Sequence, residues 1–240
     1  MSAGLIFGIP SKGRLQEDSR ALFVTAGLAF AKANGERRYR DRIADMPDVE
    51  VAYLSAPEIA REIGAGAVHL GITGRDQVEE TIPDWQTKAE LIAPLGFGRC
   101  EIVVAVPEPW IDVASMADLD DVAADFRRRH GRRLTVATKY VTLTRRFFAD
   151  HGVADYRIVE SLGATEGAPA SGAADLIVDL TSTGATLKAN GLKVVPDGVI
   201  LASEAHLVSS RMATWNSAQK KALKALLARL QPALPRPTRA

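Results

Sequence analysis

The run Leu176-Ile-Val-Asp-Leu-Thr-Ser-Thr-Gly-Ala-Thr-Leu187 joins a short apolar strand to a helix through small and hydroxylated residues. Leu176 to Val178 form the continuous apolar kind of strand that is covered on both faces. The strand delivers Asp179 to its carboxyl end, and Thr181, Ser182, Thr183, Gly184, Ala185 and Thr186 then open a helix. In open α/β sheets ligands sit at strand carboxyl ends, where helix N-termini present unpaired N–H groups and the positive end of a dipole. Small side chains let backbone approach an anion, hydroxyls add donors, and Gly184 permits the tight turn. With no Lys or Arg inside it, the loop suits a terminal phosphate monoester, and Asp179 is placed to accept hydrogen bonds from sugar hydroxyls. The same residues also read as a plain helix cap behind a buried strand, since Ser and Thr are ordinary capping residues. A P-loop is disfavoured because its lysine is missing.

The alternation continues in both directions along the chain. Short β-rich runs at 5–9, 49–54, 68–72, 89–93, 101–106, 134–137, 156–159, 174–180 and 192–195 are separated by helical patterns. That is the signature of βαβ units and predicts an α/β fold with a mostly parallel sheet. Ser55-Ala-Pro-Glu58 has the form of a capping box with an early proline, ahead of a helix ending near Gly64. Leu143, Phe147 and Phe148 mark an amphipathic helix over 142–150 that stops at Gly152. Ala222, Leu223, Leu226, Leu227 and Leu230 form a last helical stripe, which Pro232, Pro235 and Pro237 forbid from continuing. Long extended runs at 99–109 and 198–209 suit two crossings between domains. The expected division is 1–101 plus 189–230 for one domain and 102–188 for the other, with a ligand cleft between them and a disordered tail at 231–240.

Composition narrows the function. Thirty Lys and Arg against 29 Asp and Glu give a net charge of +1, so nothing global favours nucleic acid or an acidic membrane. The longest stretch without Asp, Glu, Lys or Arg is the twelve residues 63–74, short of the roughly 20 needed to cross a bilayer. The opening Met1-Ser-Ala-Gly4 lacks a basic segment and leads into the first strand, so no secretory signal is expected. A single cysteine, Cys100, permits no internal disulfide and fits a cytoplasmic location.

The stretch 166–187 resembles the signature of the ATP phosphoribosyltransferase family, with Glu166, Gly172, Ala174, Ile177, Asp179, Thr183, Gly184, Thr186 and Leu187 filling its positions. Further likeness lies in Pro10-Ser-Lys-Gly-Arg-Leu15, Gly71-Ile-Thr-Gly-Arg-Asp76, Phe97-Gly-Arg-Cys100 and Ala137-Thr-Lys-Tyr140. The resemblance implies a two-domain fold similar to type II periplasmic binding proteins. It also implies condensation of ATP with phosphoribosyl pyrophosphate, with Mg2+ held mainly by substrate. Because the chain ends soon after the last helical stripe, it resembles the short form of the family. That form self-associates as a dimer and works with a regulatory subunit similar to histidyl-tRNA synthetase.

Site residues follow from the same resemblance. Thr181, Ser182, Thr183, Gly184, Ala185 and Thr186 would hold the 5-phosphate, Asp179 the ribose hydroxyls, and Glu160 and Glu166 the ribose or water on magnesium. Lys12, Gly13, Arg14, Gly74, Arg75 and Asp76 would meet ATP or pyrophosphate, with Lys139 and Tyr140 beside the adenine. Tyr140 reads equally as a partly buried core tyrosine, and Lys12 and Arg14 as a solvated pair. Arg14, Arg37 and Arg38 are the candidates to steady charge at the pyrophosphate, and no covalent nucleophile is required. Many family members carry an arginine where Ser55 stands here, so Arg61 or an arginine of another subunit is a candidate replacement. The arginines at 127–129, 132 and 133 lack interleaved aromatics and read as a solvated helix end. Two rival readings remain: a non-catalytic small-molecule-binding module of periplasmic-binding-protein type, and a phosphoribosyltransferase acting on another base.

Overall fold

The computed structural model describes residues 4–31, 40–161 and 163–235. Up to Gly98 the chain forms β1 (Leu5–Pro10), α1 (Gly13–Thr25), β2 (Phe30–Ala31), β3 (Arg40–Ile43), β4 (Met46–Leu54), α2 (Ala56–Ala65), β5 (Leu70–Gly74), α3 (Arg75–Thr81), α4 (Trp85–Lys88) and β6 (Ala89–Pro94). There follow β7 (Cys100–Pro107), α5 (Met116–His130), β8 (Leu134–Thr138), α6 (Val141–Asp150), β9 (Tyr156–Glu160), β10 (Leu176–Thr181), α7 (Ala185–Ala189) and β11 (Leu192–Ser203). The chain then returns through β12 (Ala205–Ser210) and α8 (Ser217–Leu230). Contacts divide it into two compact units, residues 1–98 with 204–240, and residues 99–203.

The first unit is built on a seven-stranded sheet in the order β2-β3-β4-β1-β5-β12-β6. Leu5, Phe7 and Ile9 of β1 are fully buried, and Phe7 meets Phe23 of α1 at 5.3 Å between ring centres. Leu226 and Leu230 bring the α8 stripe onto this same core. The opposite face is covered by Ile59 and Ile63 of α2 with Val78 of α3. α2 starts as its sequence requires: the Glu58 carboxylate accepts from the Ser55 amide at 2.8 Å and from its hydroxyl at 2.6 Å, and Gly66 closes the other end in a left-handed turn.

The second unit carries a five-stranded sheet ordered β11-β7-β10-β8-β9. Alternate residues of β10 serve different cores: Leu176 and Val178 pack with Tyr140, Leu143 and Phe148, while Ile177 packs with Leu187 and Ala168. β10 runs parallel to β8 and antiparallel to β7.

Several expectations change. Both sheets are mixed rather than mostly parallel, because β12 lies antiparallel between β5 and β6 while β7 lies antiparallel between β10 and β11. The extended run at 198–209 is two strands in different sheets, and β11 pairs with β7 over Leu192 to Ser203, so residues 189–203 lie with the second unit. β2 and β3 add an antiparallel edge that the sequence pattern does not announce. Where a disordered tail is expected over 231–240, Gln231–Ala233 form an ordered 3-10 turn, because Ala233 and Leu234 pack against the first core; residues 236–240 lie outside the described residues. Among the described residues no helix is long and apolar enough to cross a membrane.

Candidate functional site

The loop after β10 forms one wall of a pocket of about 290 Å³ lined by Glu166, Asp179, Leu180, Thr181, Ser182, Thr183, Ala185, Thr186 and Leu187. Gly184 stands at φ 73°, ψ −6°, in the left-handed region that lets the chain turn from strand into α7. Its amide donates to Thr181 Oγ1 at 2.9 Å, and the Ser182 hydroxyl donates to the Arg99 carbonyl at 3.3 Å. Among the described residues, the amides of Ser182, Thr183 and Thr186 donate to no protein acceptor. The loop is therefore shaped by its own side chains while several N–H groups stay available to an anion.

Asp179 sits at the pocket wall with its side chain 14% exposed. Its Oδ1 accepts the Leu180 amide at 2.8 Å and lies 3.5 Å from Lys139 Nζ. Lys139 follows β8, whose Thr138 stands beside Val178 of β10, so strand register sets this pair side by side. Glu166 reaches the pocket from a 3-10 turn, Thr165–Gly167. Glu160 ends β9 and is exposed. Tyr140 is 1% exposed in the core, so its ring has no free face to stack on a base. It instead carries Lys139 Nζ at 5.2 Å from the ring centre.

The remaining candidates belong to the first unit. Lys12, Gly13 and Arg14 are exposed at the start of α1, with the Arg14 side chain 92% exposed and 3.9 Å from Asp18. Arg75 is half-exposed and pairs with buried Glu79 at 2.7 Å, while its amide donates to the Glu204 carbonyl at 3.1 Å. Asp76 is 4% exposed, accepts from Gln77 Nε2 at 2.6 Å, and lies so near Gly74 that any Cβ there would strike its Oδ1. Arg61 pairs with Glu62 at 3.3 Å, and Ser55 is occupied as the cap of α2. Arg37 and Arg38 lie outside the described residues. The arginines near 130 are compensated: Arg127 and Arg133 pair with Asp155, Arg128 and Arg129 with Asp125, and Arg132 with Asp175.

Sequence reasoning misses Leu180, an exposed apolar pocket residue, and the Arg99 carbonyl that anchors Ser182. Extending the period-2 reading of β10 past Val178 finds the first, whereas the second depends on β7 and β10 being neighbours. Among the described residues no group of three His, Cys, Asp or Glu is arranged to hold a metal ion. The pocket does bring two carboxylates, Glu166 and Asp179, into one oxygen-rich lining.

Residues 55–232 match the family model for HisG, ATP phosphoribosyltransferase. The chain is 58% identical over 227 residues to an ATP phosphoribosyltransferase of Nitrobacter winogradskyi, which covers 95% of this chain and 70% of that protein. A Rhodopseudomonas palustris protein of the same name matches at the same identity and coverage. Among solved structures, the ATP phosphoribosyl transferase (HisG:HisZ) complex from Thermotoga maritima aligns with TM-score 0.73 at 24% identity, over 95% of this chain and 98% of that one. The alkanesulfonate-binding protein SsuA from Xanthomonas axonopodis aligns with TM-score 0.53 at 15% identity, over 96% of this chain and 73% of that one, a likeness of fold alone.

Proposed function

We propose, on the premise that the chain belongs to the ATP phosphoribosyltransferase family, that the pocket at 181–186 receives the phosphoribosyl half of that reaction. The family joins ATP to phosphoribosyl pyrophosphate in the first step of histidine biosynthesis. Adenine N1 attacks the ribose C1 and the bond from C1 to pyrophosphate breaks, with positive charge growing on the ribose and negative charge on the leaving group. No protein nucleophile takes part, so the chain's task is to align two polyanions and steady developing charge.

The observation that carries the assignment is the lining of the pocket: amides at Ser182, Thr183 and Thr186 that meet no acceptor among the described residues, beside the carboxylates of Asp179 and Glu166. The amides and hydroxyls of the loop bind the 5-phosphate, with Gly184 and Ala185 shaping the turn. Asp179 accepts from the ribose hydroxyls, and Glu166 faces the ribose or metal-bound water, with Glu160 nearby in sequence as a second such group. By the family resemblance Lys12, Gly13, Arg14, Gly74 and Arg75 are the candidates for ATP, with Asp76 beneath them at 4% exposure, and Arg14 or one of Arg37 and Arg38 is the candidate for pyrophosphate. The burial of Tyr140 removes it from this set.

The lining also suits magnesium, which takes oxygen ligands and is commonly held by one or two carboxylates together with substrate phosphates. The substrate's diphosphate would hold most of it and Glu166 would face its bound water, leaving Asp179 to the ribose, and when bound it would neutralise charge on the diphosphate. From its resemblance to the short form of the family, the chain is expected to pair as a dimer and to work with a regulatory subunit resembling histidyl-tRNA synthetase; the Thermotoga maritima structure of similar fold is itself a HisG:HisZ complex. Such an enzyme works in the cytoplasm.

The test mixes the pure protein with ATP, phosphoribosyl pyrophosphate and magnesium and follows phosphoribosyl-ATP by absorbance and mass, with and without that subunit. Product in either arm is the expected outcome. A folded protein that binds ligand and makes no product in both arms would favour the binding-module reading, and product only with another base would favour the other phosphoribosyltransferase.

A further inference from the structure

The pocket presents an electrostatic difficulty to an anionic ligand. Its lining holds two carboxylates and no Lys or Arg, and each carboxylate repels a phosphate nearby. The cation that offsets this lies just behind the wall. Lys139 Nζ is 3.5 Å from Asp179 Oδ1 and 5.2 Å from the centre of the buried Tyr140 ring. The ring fixes the lysine's approach from below, as a cation over an aromatic face.

The atoms engaged add a second point. The Leu180 amide, at 2.8 Å, and Lys139 both address Oδ1 of Asp179. Among the described residues no hydrogen bond to Oδ2 accompanies these, which leaves that oxygen of a pocket-lining carboxylate available to a ligand. We propose that Lys139 is a positioning residue of the phosphoribosyl pocket rather than a contact of adenine: it holds Asp179 so that Oδ2 meets the ribose hydroxyls, and by offsetting the charge of that carboxylate it makes the pocket tolerant of a phosphate. This rests on the phosphoribosyl reading of the pocket given above.

The experiment uses the full chain and compares wild type, Lys139→Met, Lys139→Arg, Asp179→Asn and the double variant Lys139→Met with Asp179→Asn. Thermal melts confirm folding, and KM is measured separately for each substrate. Because Lys139 is half-exposed, Lys139→Met should raise KM for phosphoribosyl pyrophosphate about tenfold and leave KM for ATP within about twofold, with Lys139→Arg recovering part of the loss. In the Asp179→Asn background Lys139→Met should add little, since the lysine acts through that carboxylate. A rise in KM for ATP alone, or losses that simply add in the double variant, would overturn the proposal. Failure of wild type itself to bind phosphoribosyl pyrophosphate would instead overturn the reading of the pocket, and this proposal with it.

Discussion

Thr181 Oγ1 accepts the amide hydrogen of Gly184 at 2.9 Å, which closes the loop after β10 on itself before α7 begins. A Cβ built on Gly184 meets no atom within 4 Å, so space does not demand glycine there. Its φ of 73° does. An L-residue pays about 1–2 kcal/mol to stand in that region, and a β-branched one is a genuine outlier.

Gly184→Val is therefore expected to push the turn out of shape and abolish measurable binding of phosphoribosyl pyrophosphate, while Tm falls only modestly. Isothermal titration with that substrate, beside a melting curve, checks both halves. Unchanged affinity in the folded variant would count against the loop as the phosphate site.

Ser55 and Glu58 give a prediction about the first unit. The Ser55 hydroxyl and then its amide hold the Glu58 carboxyl below its ordinary value. Ser55→Ala removes the capping hydroxyl and should cost about 1 kcal/mol of stability. Urea denaturation should register this with turnover per folded molecule unchanged, and a loss of turnover instead would give Ser55 a part in the reaction.

His69 predicts a dependence on pH. Its Nδ1 accepts the Ile6 amide at 3.2 Å, and the ring packs edge-on against Trp215 at 5.1 Å. Burial lowers its pKa, and a bond with the Thr214 backbone raises it by less. The folded state thus binds fewer protons than the unfolded state, whose histidine titrates near 6.5. This contribution to stability is fully present above about pH 6.5 and is lost as pH falls toward the depressed folded value. His69→Asn keeps an acceptor for Ile6 without the titration. The Tm advantage of wild type over His69→Asn should shrink between pH 7.5 and 5, and a constant difference would exclude His69 as the titrating group.

These residues mark what a sequence can and cannot disclose. The box at Ser55 and Glu58 is legible because its partners are three residues apart, and α8 is legible from its stripe of leucines. The order of Asp179, Thr181 and Gly184 is legible because strand, loop and helix are consecutive. Strand direction is not written locally: Cys100–Pro107 and Ala205–Ser210 look like other apolar runs, and only their neighbours make them antiparallel. The Lys139 contact with Asp179 spans 40 positions and exists because β8 and β10 are adjacent. Tyr140 is ambiguous in sequence for a related reason, since an aromatic one residue past a strand can face a ligand or a core.

Asp175 tests how firmly the strand beneath the pocket must be held. It precedes β10, and Oδ2 accepts the Thr135 amide at 2.7 Å while Arg132 grips both oxygens at 2.7 and 2.9 Å. Burial pushes the Asp175 carboxyl up, but the Arg132 guanidinium and the Thr135 amide pull it down further, and the net shift is downward. A lowered folded pKa means this contribution is present above the unfolded value, about 3.9, and lost as pH falls through the folded one. Asp175→Ala orphans the Thr135 amide and should cost about 1–3 kcal/mol at pH 7. Asp175→Asn retains an acceptor and should lose less. The stability gap between wild type and Asp175→Asn should narrow between pH 7 and pH 3 in urea titrations, and a gap that held constant would remove the ionised carboxylate as its cause. Because the register of Leu176 on Val136 also rests on backbone pairing, KM for phosphoribosyl pyrophosphate should change far less in Asp175→Asn than in Gly184→Val. A comparable loss would mean that the start of β10, and not the loop at its end, sets the geometry of the pocket.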